Sequence, residues 1–457
     1  MSNTNLLMML SALLLAACVT SPEPLPSKPL ADAPDAWRAG ESASTAVSRG
    51  WVKRFNSPAL TSLVDEAQAN NPGIASIVSS VRQARGLSDR ARAGLSPELL
   101  LIGGASSDGA TGRNGSNTQR TNAGFSASWE PDLWGRIGQG AAAAKLDAEA
   151  AYLDERAARY LLASSVVDAY VLALEANLQA DVAQRNLDAL VKTLNFVTIQ
   201  YERGLRSGRD IALIRSDAAS AESGLVVAKN AMRDALRALE VLVGRYPAAE
   251  IFVEPVFPEL PALPAGGVPA DILLARPDIV SAKLRIEAAY SRHKAARAAQ
   301  RPSLTLSGLI GVDGEGFSAS IDPAGLAWNA AASLAMPVID GGRRRADVEI
   351  AAADIDAAMA SYREAVLDAW EDVEQQLDLW VALRDQEALI ARALAEAEKA
   401  LGFTEFAYDI GTADLLDVLA LQQRVAALES QQVAIQSARL IQISRLSLAL
   451  GADWSDL

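Results

Sequence analysis

The chain has 457 residues, 50% of them apolar but only 5% aromatic, and carries a formal net charge of −14. That acidity excludes the basic stripe that nucleic-acid binding needs, and one cysteine and one histidine exclude disulfide frameworks and Cys/His metal centres. The length fits two or three ordinary domains or one elongated repeat protein, and abundant alanine favours long close-packed helices over one large globular core.

The chain opens on a short apolar run, Leu6 to Leu10 and Leu13 to Leu15, ending Leu15-Ala16-Ala17-Cys18. It is too short to span a bilayer and reads as an export signal, residues 1–17. The Leu-Ala-Ala-Cys ending resembles a bacterial lipobox, after which Cys18 carries covalent lipid as the mature N-terminus. An ordinary signal with an incidental Cys18 is the competing reading. Val19 follows Cys18 where an aspartate favours inner-membrane retention, so the resemblance implies the outer membrane. Residues 18–57 are then a tether, made semi-extended by Pro22, Pro24, Pro26, Pro29 and Pro34.

Residues 58–244 form one unit, and 270–451 repeat it. Gly135-Arg136 returns as Gly342-Arg343, Tyr201-x-x-Gly204 as Tyr408-x-x-Gly411, Asp210 as Asp417 and Gly244 as Gly451, all at one constant displacement. The first unit begins with a helix over 58–94, capped by Ser57 with Pro58 at its first position and bent near Asn70-Asn71-Pro72. A hairpin spans 97–130. In its second strand, 121–130, Ala123, Phe125, Ala127 and Trp129 alternate with Asn122, Gly124, Ser126 and Ser128. Residues 97–106 are its weaker partner and 107–120, rich in Gly, Ser and Asn, the loop between. A long helix, 138–203, and a shorter one, 211–243, complete the unit. Residues 245–269 hold Pro247, Pro255, Pro258, Pro261, Pro264 and Pro269, which exclude regular helix; the connector is expected to pack midway along the rods, a flexible linker between independent domains being the competing reading. The second unit has a helix over 270–300, a hairpin over 302–337, a long helix over 345–410 and a last helix over 414–450, before the tail 452–457. In the second long helix Met359, Tyr362, Val366, Ala369, Val373 and Trp380 make a heptad-like seam.

Strands of about ten residues suit a tilted membrane β-strand, though soluble hairpins packed on helices would show the same alternation. The lipobox favours the membrane. Four strands cannot close a barrel, and an open edge inside lipid leaves backbone groups without partners. Spanning strands therefore require several chains to share one barrel. Each long helix reaches roughly 100 Å, and the flanking helices, roughly 55 and 50 Å, stacked end to end match it. Charges punctuate both long helices, so they are not membrane spans.

Trp129 to Arg136 (Trp-Glu-Pro-Asp-Leu-Trp-Gly-Arg), Arg276-Pro277-Asp278-Ile279, Tyr408-x-x-Gly411-x5-Asp417 and the lipobox together resemble the outer membrane factor family, the TolC-like channels, and within it the NodT-type lipoproteins. The resemblance covers nearly all of 18–451. It implies a mainly α fold with a membrane β-barrel part: two tandem repeats per chain, and a homotrimeric α-helical barrel continued into a shared barrel of about twelve strands. It also implies an equatorial girdle built from the tether end, the proline connector and the tail. Such a duct sits in the outer membrane, extends into the periplasm, and meets a periplasmic adaptor and an inner-membrane transporter, often of the resistance-nodulation-division type. It catalyses nothing and needs no cofactor beyond the lipid on Cys18. A duct for type I protein secretion, and a periplasmic coiled-coil lipoprotein without a pore, are the alternative readings.

The distal turns are the gate candidates. Asp414 and Asp417 sit i, i+3 and face one side; under threefold symmetry they ring the axis with carboxylates that would attract cations and titrate as a set. They also suit an N-cap and an N3 position, and both roles stay open. The resemblance places closing contacts in this turn, with Tyr408 and Asp417 matching by position. Asp210, Arg206 and Arg209 hold the matching place in the first repeat, where an arginine bridge to Asp417 is one expectation. Trp129 and Trp328 near strand ends suit interfacial anchors or simple packing. His293, between Arg292 and Lys294, has no partner for catalysis and is read as solvated.

Overall fold

The computed structural model describes residues 34, 36–39, 50–109, 117–263, 269–270, 276–315 and 326–451. All belong to one compact unit, Ala33–Leu457. The signal 1–17, Cys18, most of the 18–57 tether and the 452–457 tail lie outside the described residues.

After a 3-10 turn at Trp51–Phe55, the first repeat is α1 (Pro58–Asn70), α2 (Pro72–Ala93), β1 (Glu98–Gly109), β2 (Asn117–Trp129), α3 (Arg136–Glu202) and α4 (Gly208–Leu242). The second is α5 (Pro277–Ala298), β3 (Ser303–Glu315), β4 (Leu326–Ala335), α6 (Arg343–Asp409) and α7 (Leu415–Ala449). Both long helices have 67 residues. α3 packs against α1, α2, α4, α5 and α7, and α6 against α5 and α7. The arrangement is a wall four helices wide, in which two of the four positions are filled by shorter helices joined end to end.

The joints explain two of the proline motifs. The bend expected near Asn71 is a break between two helices, because a residue before proline is pushed out of the α region; Asn71 sits at φ −66°, ψ 122°. Its side chain accepts from the backbone N–H of Gly73 and Ile74, capping α2, and donates to the Leu242 carbonyl at the end of α4 at 2.8 Å. Arg276 repeats this in the second unit. It precedes Pro277 at the start of α5 and donates to the Ala449 carbonyl at the end of α7 at 3.3 Å, while holding Asp278 and Asp372. At the first joint a Cβ on Gly244, whose φ is +82°, would lie 2.8 Å from the Asn70 carbonyl oxygen. Only glycine lets the two helix ends approach that closely.

The main core lies at these joints. Phe55, Leu60, Val166, Leu174, Leu239 and Ile443 pack with Ile251 and Val253 of the proline-rich connector. Glu240 pins that connector: its buried carboxylate accepts from the backbone N–H of Ala249 and Glu250, each at 2.6 Å, and of Ile251 at 3.1 Å. The same core accounts for an 18-residue stretch of α3 whose mean hydropathy reaches 1.4, apolar enough for a bilayer by composition but half buried within the protein. Of the α6 seam, Val366, Ala369 and Val373 are buried, whereas Met359, Tyr362 and Trp380 are half-buried.

The four strands form one antiparallel sheet in chain order. Its register aligns Leu101, Phe125, Ile310 and Trp328 across all four strands on one face. The opposite face carries Leu100, Ser126, Leu309 and Asn329 at the neighbouring level, and Ser128, Ser307 and Ala331 further along. One face is apolar, with Leu101, Phe125, Ile310 and Trp328 exposed, the other mainly small and polar. The strands also run further than their side-chain pattern indicates: Ser107, Asp108 and Gly109 pair with Gln119, Thr118 and Asn117. Backbone ladder bonds are indifferent to side-chain polarity, so polar residues extend the hairpin into the segment read as loop. Among the described residues β1 and β4 each leave one edge unpaired.

Candidate functional site

At the end of the wall away from the sheet, the two repeats make the same turn twice. After α3, Gly204 takes φ +75° and the Leu205 N–H returns to the Gln200 carbonyl at 2.9 Å. After α6, Gly411 takes φ +81° and the Thr412 N–H returns to the Ala407 carbonyl at 2.8 Å. A left-handed glycine with this back-bond satisfies the last helical carbonyls and stops the helix. The next helix starts in each case with a reciprocal cap, Ser207 with Asp210 and Asp414 with Asp417. Asp210 and Asp417 therefore stabilise helix starts within one chain. Asp414 and Asp417 remain exposed, so capping leaves their charge at the surface of the tip.

The repeats diverge at the tyrosine. Tyr201 is 47% exposed, while Tyr408 is 3% exposed. Tyr408 packs with Leu190, Val197, Ile211 and Ile214 of the first repeat and with Leu415, Val418 and Leu419 of the second. Phe196 meets its ring at 6.0 Å. Arg206 lies over the ring face at 4.3 Å, its Nε held by Gln200 Oε1 at 2.8 Å. Burial, with Asp210, Asp414 and Asp409 nearby, pushes the Tyr408 hydroxyl above its ordinary range against the pull of Arg206. Among the described residues that hydroxyl is buried without a hydrogen-bond partner.

Among the described residues Arg206 and Arg209 form no ion pair with Asp417. Arg206 instead closes the two turns of one chain through the ring of Tyr408, and Arg209 is exposed. Phe196 and Gln200 were missed as members of this cluster; their signal was present, since Gln200 lies about one helical turn and Phe196 just over two before the stop glycine. Around the tip Leu205, Phe403, Phe406 and Ile410 are 60 to 75% exposed, an apolar rim that one chain does not cover.

Trp129 lies at the end of β2 nearest the helices and donates its Nε1–H to the Leu95 carbonyl at 3.0 Å. Trp328 is 77% exposed, on the apolar face toward the hairpin loop. His293 is half-buried on α5.

Comparison with known proteins decides what this architecture is for. The profile of the family described as "Outer membrane efflux protein" matches residues 63–245 and 268–452, one segment for each repeat. The chain belongs to the outer membrane efflux protein family. Members of this family are transport channels, not enzymes, seated in the outer membrane as TolC-like trimers and working in tripartite pumps. The reading as a periplasmic lipoprotein without a pore is thereby set aside. Among its relatives, this efflux protein is 32% identical over 469 residues to the pyoverdine export outer membrane protein OpmQ of Pseudomonas aeruginosa, covering 99% of this chain and 98% of OpmQ. It is 27% identical over 408 residues to the cation efflux system protein CusC of Escherichia coli, covering 89% and 88% of the two chains. The crystallised open state of the Neisseria gonorrhoeae MtrE outer membrane channel superposes with a TM-score of 0.82 at 25% identity, covering 94% of this chain and 97% of MtrE.

Proposed function

We propose that this efflux protein is the exit duct for small molecules in a tripartite pump, receiving its cargo from a periplasmic adaptor and an inner-membrane transporter of the resistance-nodulation-division type. The match to OpmQ along 99% of the chain carries the reading, because that relative is named for export of a small molecule. The small, polar face of the sheet, with Ser126, Ser128, Ser307 and Asn329, suits the wall of a water-filled passage once three sheets close with that face inward. Cys18 is the lipid anchor in this proposal, and Trp129 and Trp328 sit at the membrane interface.

The distal turns are the gate. Arg206 over Tyr408 fastens the two turns of one chain, and Asp414 and Asp417 of three chains surround the axis, with Asp210 and Arg209 beside them. Such a ring attracts cations and titrates as a set. Two measurements test the proposal. Deleting the gene should sensitise the cell to a defined set of small compounds, and a susceptibility profile unchanged for every compound would remove the efflux role. Asp417→Ala should change resting conductance and cation selectivity in a planar bilayer; channels indistinguishable from the parent would take Asp417 out of the gate.

A further inference from the structure

The band where strands hand over to helices holds a second site, unrelated to the distal turns. A cavity of about 310 Å³ opens there, lined by Trp134, Arg301, Leu304, Arg343, Arg344 and Asp347 among others. Its carboxylates are largely engaged. Both oxygens of Glu130 are held by Arg136 at 2.8 Å. Asp132 accepts from the Ile137 and Gly138 N–H groups at 3.0 and 2.6 Å and so caps α3. Asp340, just outside the lining, caps the start of α6 and stands 3.8 Å from the Arg344 guanidinium. Asp347 remains, exposed.

Among the described residues, neither Arg301 nor Arg343 has a carboxylate within ion-pair distance, and both are exposed. Arg301 is nevertheless held in place. Its guanidinium lies over the Trp134 ring at 5.1 Å, and Trp134 is fixed in turn by its Nε1–H on the Pro302 carbonyl at 2.6 Å. A guanidinium held over a ring still has N–H donors to offer, and its fork matches two oxygens of a phosphate. Arg344 donates to the Ala299 carbonyl and closes the floor.

The level of this cavity indicates where the phosphate comes from. Leu304, part of its lining, begins the apolar face of β3. Around the same band Leu133, Met336, Val338 and Ile339 are 54, 62, 86 and 92% exposed. Apolar side chains thus stand beside two arginines that, among the described residues, have no carboxylate partner, at the helical end of strands that sit in the outer membrane. That is the profile of a glycerophospholipid crossing an interface, with its acyl chains against the sheet and its headgroup one step toward the helices.

We propose that this junction binds the phosphodiester of an inner-leaflet glycerophospholipid, with Arg301 and Arg343 as ligands to its anionic oxygens and Trp134 positioning Arg301. The test uses the full-length protein, delipidated in detergent and examined by native mass spectrometry with added phosphatidylglycerol. Arg301→Gln with Arg343→Gln should weaken retention about tenfold or more, since each arginine supplies a charge-assisted hydrogen bond, whereas Arg384→Gln, on exposed helix elsewhere, should leave it unchanged. Diacylglycerol, which lacks the phosphate, should be retained poorly, and millimolar inorganic phosphate should not displace the lipid. Equal retention by the glutamine variant, or equal retention of diacylglycerol, would overturn the proposal. Displacement by inorganic phosphate would overturn its lipid part and leave a site for soluble anions. If the glutamine variant does not assemble, Arg301→Lys with Arg343→Lys decides: it keeps charge but loses the fork, so retention unchanged from the parent would refute the assignment.

Discussion

Replacing Arg276 by alanine removes the hub of the second-repeat joint. Its side chain is 15% exposed and reaches Asp278 at 2.8 Å, Asp372 at 3.2 Å and the Ala449 carbonyl at 3.3 Å. Burial alone would favour deprotonation, but the two carboxylates outweigh it and hold the guanidinium above its ordinary range, so the cation is present at every accessible pH. A hydrogen bond to a charged group contributes about 1.5–3 kcal/mol. The contacts do not simply add, because Asp278 and Asp372 are 42 and 55% exposed and regain water when the arginine is lost. We expect a loss of about 3 kcal/mol, at the lower end of values for breaking a buried pair. Thermal unfolding of the detergent-solubilised trimer, followed by far-ultraviolet circular dichroism, should show the variant melting clearly earlier than Arg384→Ala. The latter loses only a pair with Asp385 that is 57 and 61% exposed, worth about 0–1 kcal/mol. Arg276→Lys, retaining charge without the fork, should fall between them. If Arg276→Ala melts with Arg384→Ala, the joint does not depend on this residue.

Glu240 makes a pH-dependent clamp. Burial alone would raise its pKa, but the N–H groups of Ala249, Glu250 and Ile251 outweigh burial and hold it below the carboxylate range. With a lowered folded-state pKa, the clamp's stabilisation is present above the unfolded value, about pH 4.3, and is lost as pH falls through the folded value. Glu240→Gln should therefore cost about 2 kcal/mol at neutral pH and flatten the acid limb of a stability profile; an acid limb as steep as the parent's would refute the clamp. At the distal turns, the unpartnered hydroxyl makes Tyr408→Phe neutral within about 0.5 kcal/mol, whereas Arg206→Ala forfeits a cation–π contact of about 0.5–1 kcal/mol and should raise resting conductance. The opposite order of conductances would assign closure to the hydroxyl. In the sheet, a Cβ on Gly124 would lie 2.5 Å from the Ile310 carbonyl oxygen and 2.7 Å from Gly311 Cα. Gly124→Val should cut the yield of gel-filtered trimer, while Gly86→Ala, which meets nothing within 4 Å, should not; equal yields would show that the strands can part at no cost.

Much of this was legible because repetition and backbone chemistry are local. A left-handed glycine followed by Ser or Asp and an Asp three residues on writes a stop and a restart into the chain, and two copies at one displacement mark both turns. Alternation on β2 foretold which of its side chains share a face, and the register then aligned Phe125 with Ile310 and Trp328. The fate of the two tyrosines was not legible. Tyr201 and Tyr408 occupy equivalent positions, yet only Tyr408 is buried, because burial depends on which helix of the other repeat lies alongside. The expected bridge from Arg206 to Asp417 gave way for the same reason: the guanidinium lies over the Tyr408 ring and, among the described residues, makes no ion pair with Asp417.

The sequence by itself determined that the chain is a doubled rod-and-hairpin protein with too few strands to seal a membrane pore alone, since periodicity, turn chemistry and strand count are properties of neighbouring residues. Only the tertiary structure decided which charges stand free. Arg276 and Glu240 disappear into joints, whereas Arg301 and Arg343 are left facing outward. Pairing of charges is settled by distances between residues far apart in the chain, and no local pattern encodes them.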